Sequence, residues 1–342
     1  MKAVVVHQHG GPDQLRLEEV KKPQPGPTEV LVQVKACALN HLDLWVRRGI
    51  PGVKFPLPLI PGSDVAGLIA DPGPAGAKYS AGDRVLVAPG LSCQSCRICL
   101  SGQDQLCRHY GILGETRDGG YAEFVTVPAA NLLPYPEKFS FEEAAAIPLV
   151  FLTAWHMVVA RGKIRPGETV LVQGAGSGIG TAAIQIARLW GALVITTSGS
   201  DDKLKKAREL GAEHGINYSR ADLAQEVKNL TGKRGVDLVI DHIGEATWEA
   251  SIRSLAKGGR LVTCGATTGP DVKTNLRYIF FKSLSILGST MGSKSELHEI
   301  LGHVEAGRLR PVLDRTFPLE AAAEAHRYLE DRKQFGKVVL TI

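Results

Sequence analysis

The sequence lacks the features of a membrane-spanning, secreted or nucleic-acid-binding protein. No apolar stretch approaches the roughly 18 residues that a spanning helix needs. The N-terminal MKAVVVHQHGG has neither the apolar core of a signal peptide nor an Arg-rich amphipathic helix. The net charge of +5 comes without a basic run, so nucleic-acid binding is not indicated. We therefore expect a cytoplasmic protein that binds neither membranes nor nucleic acids.

Cysteine is also scarce, and four of the six cysteines lie in one short, polar segment. Cys93, Cys96, Cys99 and Cys107 can surround a zinc ion as a tetrahedron, and the metal would supply folding energy that this segment cannot draw from an apolar core. An iron–sulfur cluster fits this cysteine spacing less well, because the bacterial cluster pattern has a shorter last gap followed by proline. Disulfides between these cysteines are not favoured, because cytoplasmic proteins rarely contain disulfides. We predict a structural zinc whose closed ligand shell leaves no position for chemistry.

A glycine-rich turn between residues 168 and 203 predicts a dinucleotide site. Residues 169–173 form a short β-branched run typical of a buried strand, and residues 179–190 have helical apolar spacing. Glycines between them let the backbone approach a pyrophosphate, and the helix N-terminus presents free N–H groups. A tight turn without a ligand is the alternative, but the βαβ context favours the ligand. The candidate coenzyme-binding residues in the turn are Gly174, Gly176, Ser177, Gly178 and Ile179.

The pattern of apolar residues divides the chain into two regions. Up to about residue 130, short runs joined by Pro/Gly turns predict antiparallel strands, and from residue 167 regular β/α alternation predicts a parallel sheet with helices on both faces. The predicted strands are 2–7, 29–35, 64–70, 83–88, 121–127, 169–173, 192–197, 216–218, 236–241, 260–265, 283–288 and 336–342. The predicted helices are 141–161, which bridges the regions, 179–190, 200–210, 221–230, 247–256 and 319–330.

Together these pieces resemble the medium-chain dehydrogenase/reductase superfamily, which includes zinc-type alcohol dehydrogenases and quinone oxidoreductases. The resemblance covers nearly the whole chain, including residues 35–45, 58–67, 81–85 and 144–155 and the terminal GKVVL. It implies an α/β fold with a GroES-like, β-rich catalytic domain and a Rossmann domain with a doubly wound parallel sheet. The implied boundaries are 1–150 for the catalytic domain with its zinc lobe at 93–107, 151–290 for the Rossmann domain, and 291–342 for a segment returning to the catalytic domain. A homodimer or homotetramer through the Rossmann sheet edge near residues 283–290 is also implied.

The chain departs from this family at the catalytic zinc. Cys37 stands at the first ligand position, but Ser63 and Asp64 replace the His and Glu of a Gly-His-Glu motif, and Phe151 or a neighbour falls at the third position. A catalytic zinc needs about three protein ligands and an open position. Only Cys37 is a clear ligand, while Asp64 and a rearranged His41 are further candidates. We therefore expect no catalytic zinc.

Other active-site positions resemble the zinc-independent quinone oxidoreductases. Asn40 and Asp43 followed by Trp45 match that branch's N-x-x-D-x-[YW] pattern, and GAGSGIG resembles its glycine turn GAxGGVG. Asn40, Asp43 and Cys37 are therefore the candidate catalytic residues. Each has a structural alternative: Asn40 as a turn residue, Asp43 as a helix cap, and Cys37 as core packing. His242 is not expected to be a metal ligand.

The end of the second Rossmann strand indicates the choice of coenzyme. NAD enzymes usually place an acidic residue there, but here no carboxylate precedes Asp201. A 2′-phosphate would meet Ser198 and Lys203, and the resemblance matches Lys203 and Tyr218 to the phosphate-binding positions of NADPH-dependent quinone oxidoreductases. Gly265 lies at the strand end that meets the nicotinamide in this family. We predict NAD(P)(H) with a preference for NADP(H), although Asp201 favours NAD and Lys203 alone is also consistent with a solvated helix residue.

These features predict an NAD(P)(H)-dependent oxidoreductase that transfers hydride to or from a small-molecule quinone, enone or carbonyl without a catalytic zinc. A quinone or enone can accept hydride with only hydrogen-bond help, for example from Asn40, whereas an unactivated ketone benefits from a metal. Two alternatives stay open. One is a zinc-dependent alcohol dehydrogenase with unusual ligands, and the other is a non-catalytic NADPH-binding protein.

Overall fold

A computed structural model describes all 342 residues, which form two compact units. One unit combines Met1–Leu149 with Ser293–Ile342, and the other is the continuous segment Val150–Gly292. Each unit has a buried apolar cluster of its own.

The first unit is built on a seven-stranded sheet. The strands of the whole unit are β1 (Lys2–Val5), β2 (Arg16–Glu19), β3 (Glu29–Ala38), β4 (Asp64–Asp71), β5 (Arg84–Val87), β6 (Gly90–Leu91), β7 (Gly111–Ile112), β8 (Phe124–Pro128), β9 (Leu132–Leu133), β16 (Leu313–Pro318) and β17 (Lys337–Thr341). The sheet order is β16-β17-β3-β4-β5-β9, with β8 also paired to β3, while β1-β2 and β6-β7 form separate ribbons. β3 pairs with β4, β8 and β17, and most of its residues are buried although its sequence alternates. β17 pairs antiparallel with β3, so the chain's end returns to this unit.

Short helices surround this sheet. They are α1 (His41–Arg48), α2 (Arg97–Leu100), α3 (Phe141–Ala145), α10 (Lys294–Glu305) and α11 (Ala322–Glu330). α1 follows β3 after two residues, and its N-cap is Asn40. α10 begins at a capping box in which Ser293 and Glu296 exchange hydrogen bonds.

The bridging helix predicted over 141–161 is divided into three parts. α3 is followed by α4 (Pro148–Trp155) and a π-helical segment, His156–Arg161. Phe141–Arg161 is long and apolar enough to span a membrane by length and composition, so the expectation that no stretch approaches this length was wrong. However, 83% of its most apolar window is buried inside the protein, as in the core helix of a globular fold.

The second unit contains a six-stranded, entirely parallel sheet with the order β12-β11-β10-β13-β14-β15. The strands are β10 (Thr169–Val172), β11 (Leu193–Ser198), β12 (His214–Asn217), β13 (Val236–Asp241), β14 (Leu255–Thr263) and β15 (Ser285–Gly288). The helices are α5 (Gly178–Leu189), α6 (Asp201–Glu209), α7 (Leu223–Leu230), α8 (Glu245–Ser254) and α9 (Leu276–Lys282). The chain runs outward from β10 to β12 and then returns to β13, so the strand order reverses between β10 and β13. Ligands of doubly wound sheets bind at the carboxyl ends of the strands at such a reversal.

Candidate active site, coenzyme site and metal centre

The first unit holds a buried polar cluster built at the ends of three strands. Asn40 lies just after β3, Asp64 begins β4, and Lys337 begins β17. Lys337 Nζ donates to Asn40 Oδ1 at 2.6 Å and to Asp64 Oδ2 at 3.0 Å. Asn40 Nδ2 donates to Asp64 Oδ2 at 2.9 Å and to Ala38 O at 3.4 Å. Both ends of the Asn40 amide are therefore engaged within the protein.

Asp43 connects the first turn of α1 to the loop before β4. Its Oδ2 accepts from Asn40 N at 2.7 Å, and its Oδ1 accepts from Gly62 N at 3.2 Å. The side chain is completely buried, and this burial raises its pKa to about 7, although the Asn40 N–H and the charge of Lys337 act in the opposite direction. These contacts fix the Asp43 carboxylate between the backbone N–H groups of Asn40 and Gly62.

Cys37 lies in β3 with its thiol enclosed by backbone. A β-carbon added at Gly62 or at Gly120 would lie 2.8 Å from Cys37 Sγ. Burial raises the pKa of this thiol, and the nearby carboxylates of Asp43 and Asp64 raise it further. The thiol is therefore protonated at neutral pH in its packed surroundings.

Cys37 and the nearby carboxylates do not form a group whose ligand atoms could share one ion. In the whole chain, a single group of three or more His, Cys, Asp or Glu side chains has ligand atoms close enough to share an ion, and it is the cysteine lobe. Ser63, at the position of the family's His ligand, has a buried hydroxyl without a hydrogen-bond partner. Both carboxylate oxygens of Asp64 already accept hydrogen bonds. His41 packs edge-on against Trp45, with ring centroids 5.2 Å apart.

The four cysteines of the lobe do gather. Their sulfurs lie 3.5 Å apart for Cys93–Cys107 and Cys96–Cys99, 3.8 Å for Cys93–Cys99 and 3.9 Å for Cys96–Cys107. Four sulfurs bound to one zinc at about 2.3 Å would be about 3.8 Å apart, so the lobe fits this ion. None of the cysteines forms a disulfide. Backbone N–H groups of Ser95 and Cys96 lower the pKa of Cys93 to about 6, which favours the thiolate that zinc binds.

In the second unit, the glycine-rich turn joins β10 to α5 at the reversal of strand order. Gly174 has a φ of +67°, in the region that favours glycine, and its N–H donates to Thr197 Oγ1 at 3.0 Å. Ser177 caps α5, because its Oγ accepts from Gly180 N at 2.8 Å and donates to Gly174 O at 2.9 Å. A β-carbon at Gly180 would lie 2.2 Å from Gly174 O. The helix therefore begins as close to the turn as glycine alone permits.

The start of α5 fits the pyrophosphate of a dinucleotide. The N–H groups of its first two residues, Gly178 and Ile179, have no acceptor within the helix, and the positive end of the helix dipole lies there. Gly174 and Gly176 add no side chain that would exclude a ligand from the turn. Such an arrangement binds phosphate groups in many proteins.

Hydrogen bonds beneath the turn link the carboxyl ends of three adjacent strands. Thr197 Oγ1 donates to Gln173 Oε1 at 2.8 Å, Gln173 Nε2 donates to Ser251 Oγ at 2.9 Å, and Ser251 Oγ donates to Asp241 Oδ2 at 2.7 Å. All four side chains are buried. A fully paired network of this kind holds the coenzyme side of the sheet rigid.

The residues predicted to choose the coenzyme lie at the end of β11 and after β12. Ser198 is buried, and Tyr218 is 52% exposed. The ring of Tyr218 faces Gly199, where an added β-carbon would lie 3.1 Å from the ring. Lys203 lies in the first turn of α6, while Gly265 follows β14 at the same carboxyl edge of the sheet.

Asp201 does not present a free carboxylate. Arg220 pairs with its Oδ2 at 2.7 Å, and Asn217 Nδ2 donates to its Oδ1 at 2.7 Å. Arg220 could not be identified from its sequence, because a lone arginine in the turn after a short strand has no distinguishing pattern. Lys337 was likewise not singled out, although its segment GKVVL carried part of the family resemblance.

Comparison with known proteins assigns the chain to a family. Residues 26–137 match the alcohol dehydrogenase GroES-like domain, and residues 178–306 match the zinc-binding dehydrogenase domain. A zinc-type alcohol dehydrogenase-like protein of Schizosaccharomyces pombe is 36% identical, over 99% of this chain and 98% of that protein. The quinone oxidoreductase of Rattus norvegicus is 32% identical, over 100% of this chain and 98% of its own. The crystal structure of a NAD-dependent alcohol dehydrogenase superposes with a TM-score of 0.97 at 52% identity, over 100% of both chains.

The fold and the anion-binding turn define an NAD(P)-dependent oxidoreductase with a GroES-like and a Rossmann-type part. The chain belongs to the medium-chain dehydrogenase/reductase superfamily, alongside zinc-type alcohol dehydrogenases and quinone oxidoreductases. The predicted fold class, family and enzyme class are thereby confirmed.

Proposed function

We propose that the protein transfers hydride between NAD(P)(H) and an electrophilic carbon of a quinone, an enone or a carbonyl without a catalytic zinc. The ligand set around Cys37 carries this proposal. Ser63 replaces the expected His, and Asp64 is held by Lys337 and Asn40. A catalytic zinc requires about three protein ligands and an open position, which these residues do not supply.

The proposed substrate class follows from the chemistry that remains. The nicotinamide coenzyme supplies or accepts the hydride when it is bound. The protein contributes orientation and exclusion of water, which favour acceptors whose reduced form is stabilised by conjugation rather than by a Lewis acid. Lys337 and Asp64 hold the Asn40 amide. We therefore propose that Asn40, Asp43 and Cys37 position the surrounding backbone and do not contact the substrate themselves. A backbone N–H group is then the expected donor to the substrate oxygen, and water the source of the final proton.

Two measurements test this proposal. The first is the zinc content per chain of protein purified without a metal-binding tag, and the second is the activity of the protein toward a panel of quinones, enones and alcohols. We expect one zinc, reduction of a quinone or an enone, and retention of both in Cys37→Ser. Cys264→Ser, at the end of β14, is the matched control for thiol loss. Two zinc ions per chain, or loss of one zinc and of activity in Cys37→Ser alone, would contradict the proposal.

A zinc-dependent alcohol dehydrogenase is the second candidate. The structural relative at 52% identity carries the name NAD-dependent alcohol dehydrogenase, and the Schizosaccharomyces pombe relative is named a zinc-type alcohol dehydrogenase-like protein. This function would require Asp64 to leave Lys337 and join Cys37 at a metal. Alcohol oxidation that disappears in Cys37→Ser together with the second zinc would establish it.

For the coenzyme, we propose a preference for NADP(H). Asp201 is paired with Arg220 and Asn217, while Lys203 and the Ser198 hydroxyl lie at the same strand end. Arginine and lysine suit a 2′-phosphate better than a ribose hydroxyl. Arg220→Ala should weaken NADPH binding about tenfold while leaving NADH binding unchanged. Tighter binding of NADH than of NADPH by the wild type would instead agree with the NAD-dependent relative.

For the assembly, we propose a homodimer, or a tetramer built from it, through the free edge of the second unit's sheet. β15 is the last strand of this sheet, and the nearby side chains of Leu276, Phe280, Phe281 and Ile286 are exposed. An exposed edge strand beside apolar side chains is a template for pairing with a second copy. Light scattering should show a dimer or tetramer for the wild type and a monomer for Phe281→Glu with Ile286→Lys.

A further inference from the structure

The cysteine lobe is joined to a helix that lies far along the chain. Asp104 Oδ1, in the lobe, accepts a hydrogen bond from Lys294 N at 3.0 Å. Lys294 is the first residue of α10, two residues after the second unit ends at Gly292. Apart from Cys107, the buried residues between positions 93 and 107 are Asp104 and Gln105. Burial within the lobe is therefore concentrated around the residue that contacts α10.

The contact stabilises the start of α10. The first N–H groups of a helix have no acceptor within the helix, and the positive end of the helix dipole lies there. The Asp104 carboxylate supplies an acceptor to Lys294 N and places a negative charge at this end of α10. Glu296 N donates to Ser293 Oγ at 3.3 Å, which is a cap formed within the segment itself. The helix thus begins with one local cap and one cap that the lobe provides.

Asp104 and the zinc ligand Cys107 belong to the same short turn. Residues Asp104–Leu106 form a 3₁₀ helix, and Cys107 N donates to Asp104 O at 3.1 Å. A zinc ion bound to Cys107 would hold the end of this turn and thereby the position of the Asp104 carboxylate. Because α2 has no buried side chain, the rest of the lobe offers little packing that could replace the metal in this role.

We propose that zinc binding in the cysteine lobe and order at the start of α10 are coupled through the hydrogen bond between Asp104 and Lys294. Such a coupling acts equally in both directions. Zinc stabilises the start of α10, and the contact with α10 strengthens the binding of zinc. The inference requires zinc in the lobe and does not depend on the proposed hydride transfer.

Zinc affinity, measured by competition with a chromogenic chelator, tests the effect of α10 on the lobe. Lys294→Pro removes the N–H donor from outside the lobe, and proline is favoured at the first position of a helix. Ser293 has a ψ of 157°, which is compatible with a following proline. Lys294→Pro should bind zinc about fivefold to tenfold more weakly, as for the loss of one hydrogen bond. Lys294→Ala keeps the backbone N–H and should bind zinc as tightly as the wild type.

Hydrogen exchange resolved to single amides tests the effect of zinc on α10. Removal of zinc by a chelator should speed exchange of the Lys294 amide at least about fivefold, because its acceptor is no longer held in place. The amide of Glu143, which donates to Ser140 Oγ at 3.3 Å in the same unit, is the control and should be unaffected. Zinc affinity of Lys294→Pro equal to that of the wild type, exchange at Lys294 that is independent of zinc, or a wild-type protein that binds no zinc would each overturn the inference. The proposed hydride transfer would stand or fall separately, on the substrate panel.

Discussion

At the scale of single residues, Lys337 shows how one buried charge organises the first unit. Its ammonium joins Asn40 and Asp64, and thereby the ends of β17, β3 and β4. Lys337 is 4% exposed and Asp64 is completely buried, so neither charge has water as an alternative partner. Removing one member of such a pair leaves the other charge uncompensated, which costs far more than the pair itself contributes.

Lys337→Met should therefore lower the free energy of unfolding by roughly 3–5 kcal/mol. Urea denaturation measures the change, and Lys333→Met is the matched control because Lys333 pairs with Asp331 on the surface. The control should change stability by less than about 1 kcal/mol. Adding Asp64→Asn to Lys337→Met should restore part of the loss, since no unpaired charge then remains. Equal effects of the two lysine substitutions would contradict this account.

The pKa of Asp43 predicts an unusual pH dependence of stability. The carboxyl titrates at about 7 in the folded protein against 3.8 in an exposed chain. The folded state therefore holds the proton between these values, so the stabilisation is complete below 3.8 and is lost as pH rises through about 7. The difference in unfolding free energy between wild type and Asp43→Asn should fall over this window by at most about 4 kcal/mol.

The difference in unfolding free energy between wild type and Asp43→Asn is measured, rather than the wild type alone, because His326 also makes stability depend on pH. Burial lowers the pKa of His326 to about 3, so its stabilisation is present above 6.5 and is lost as pH falls. This slope opposes that of Asp43 and is present in both proteins. A difference that is flat from pH 4 to pH 7.5 would show that Asp43 is ionised in the folded state.

The sequence indicated part of the candidate site, and the rest depends on contacts distant along the chain. Asn40 and Asp43 lie three residues apart and were recognised as a pattern. Lys337 joins Asn40 from nearly 300 residues away, through the pairing of β17 with β3.

At the scale of elements, the close approach of α5 to the glycine turn should be sensitive to one methyl group. In Gly180→Ala the new β-carbon would lie 2.2 Å from Gly174 O, so the turn must shift. We expect at least a tenfold loss of NADH affinity, measured by fluorescence titration, and a lower melting temperature. Gly302→Ala in α10 is the control, because open space surrounds that position and alanine favours helix by about 0.5–1 kcal/mol. Unchanged NADH affinity in Gly180→Ala would exclude a pyrophosphate at this turn.

The cysteine lobe should depend on its metal for order. Its only α-helix, α2, has four residues and no buried side chain, so packing of this helix contributes little to the stability of the lobe. Cys99→Ser should reduce zinc from one to zero per chain by elemental analysis and expose the lobe to protease. Cys264→Ser should change neither readout, because Cys264 lies outside the lobe. A Cys99→Ser protein that retained its zinc would assign the metal elsewhere.

Helices and strands were predicted correctly where the residue pattern of the segment itself determines its conformation. Val236–Asp241 was predicted with its observed bounds, and α6 (Asp201–Glu209) differs from the predicted helix 200–210 by one residue at each end. α10 was not predicted, although Ser293 and Glu296 form a capping box that the sequence displays. The break between α3 and α4 was missed because apolar spacing is continuous over 141–161, although Pro148, the first residue of α4, indicates it: a proline ends the helix that precedes it. A π-helical segment of six residues has no distinguishing sequence period.

At the scale of the whole molecule, the two units differ in how the chain builds them. The second is one continuous segment containing all six strands of its sheet. The first needs both ends of the chain, because β17 lies between β16 and β3 within the sheet. The final fifty residues thus complete a sheet begun by the first thirty-eight.

This difference predicts that a fragment containing the second unit folds alone, whereas a fragment containing only the N-terminal part of the first unit does not. Residues 148–292, which keep α4 whole, should fold alone with a cooperative urea transition, because a domain with its own core and complete sheet can be autonomous. Residues 1–149 should not, because they lack β16 and β17, expose one side of β3, and leave Asp64 without Lys337. Circular dichroism and urea titration of both fragments provide the comparison, and ADP-ribose binding by the first reports whether the turn is intact. A cooperative transition in residues 1–149 would mean that the returning strand is an addition to a sheet that is already stable without it.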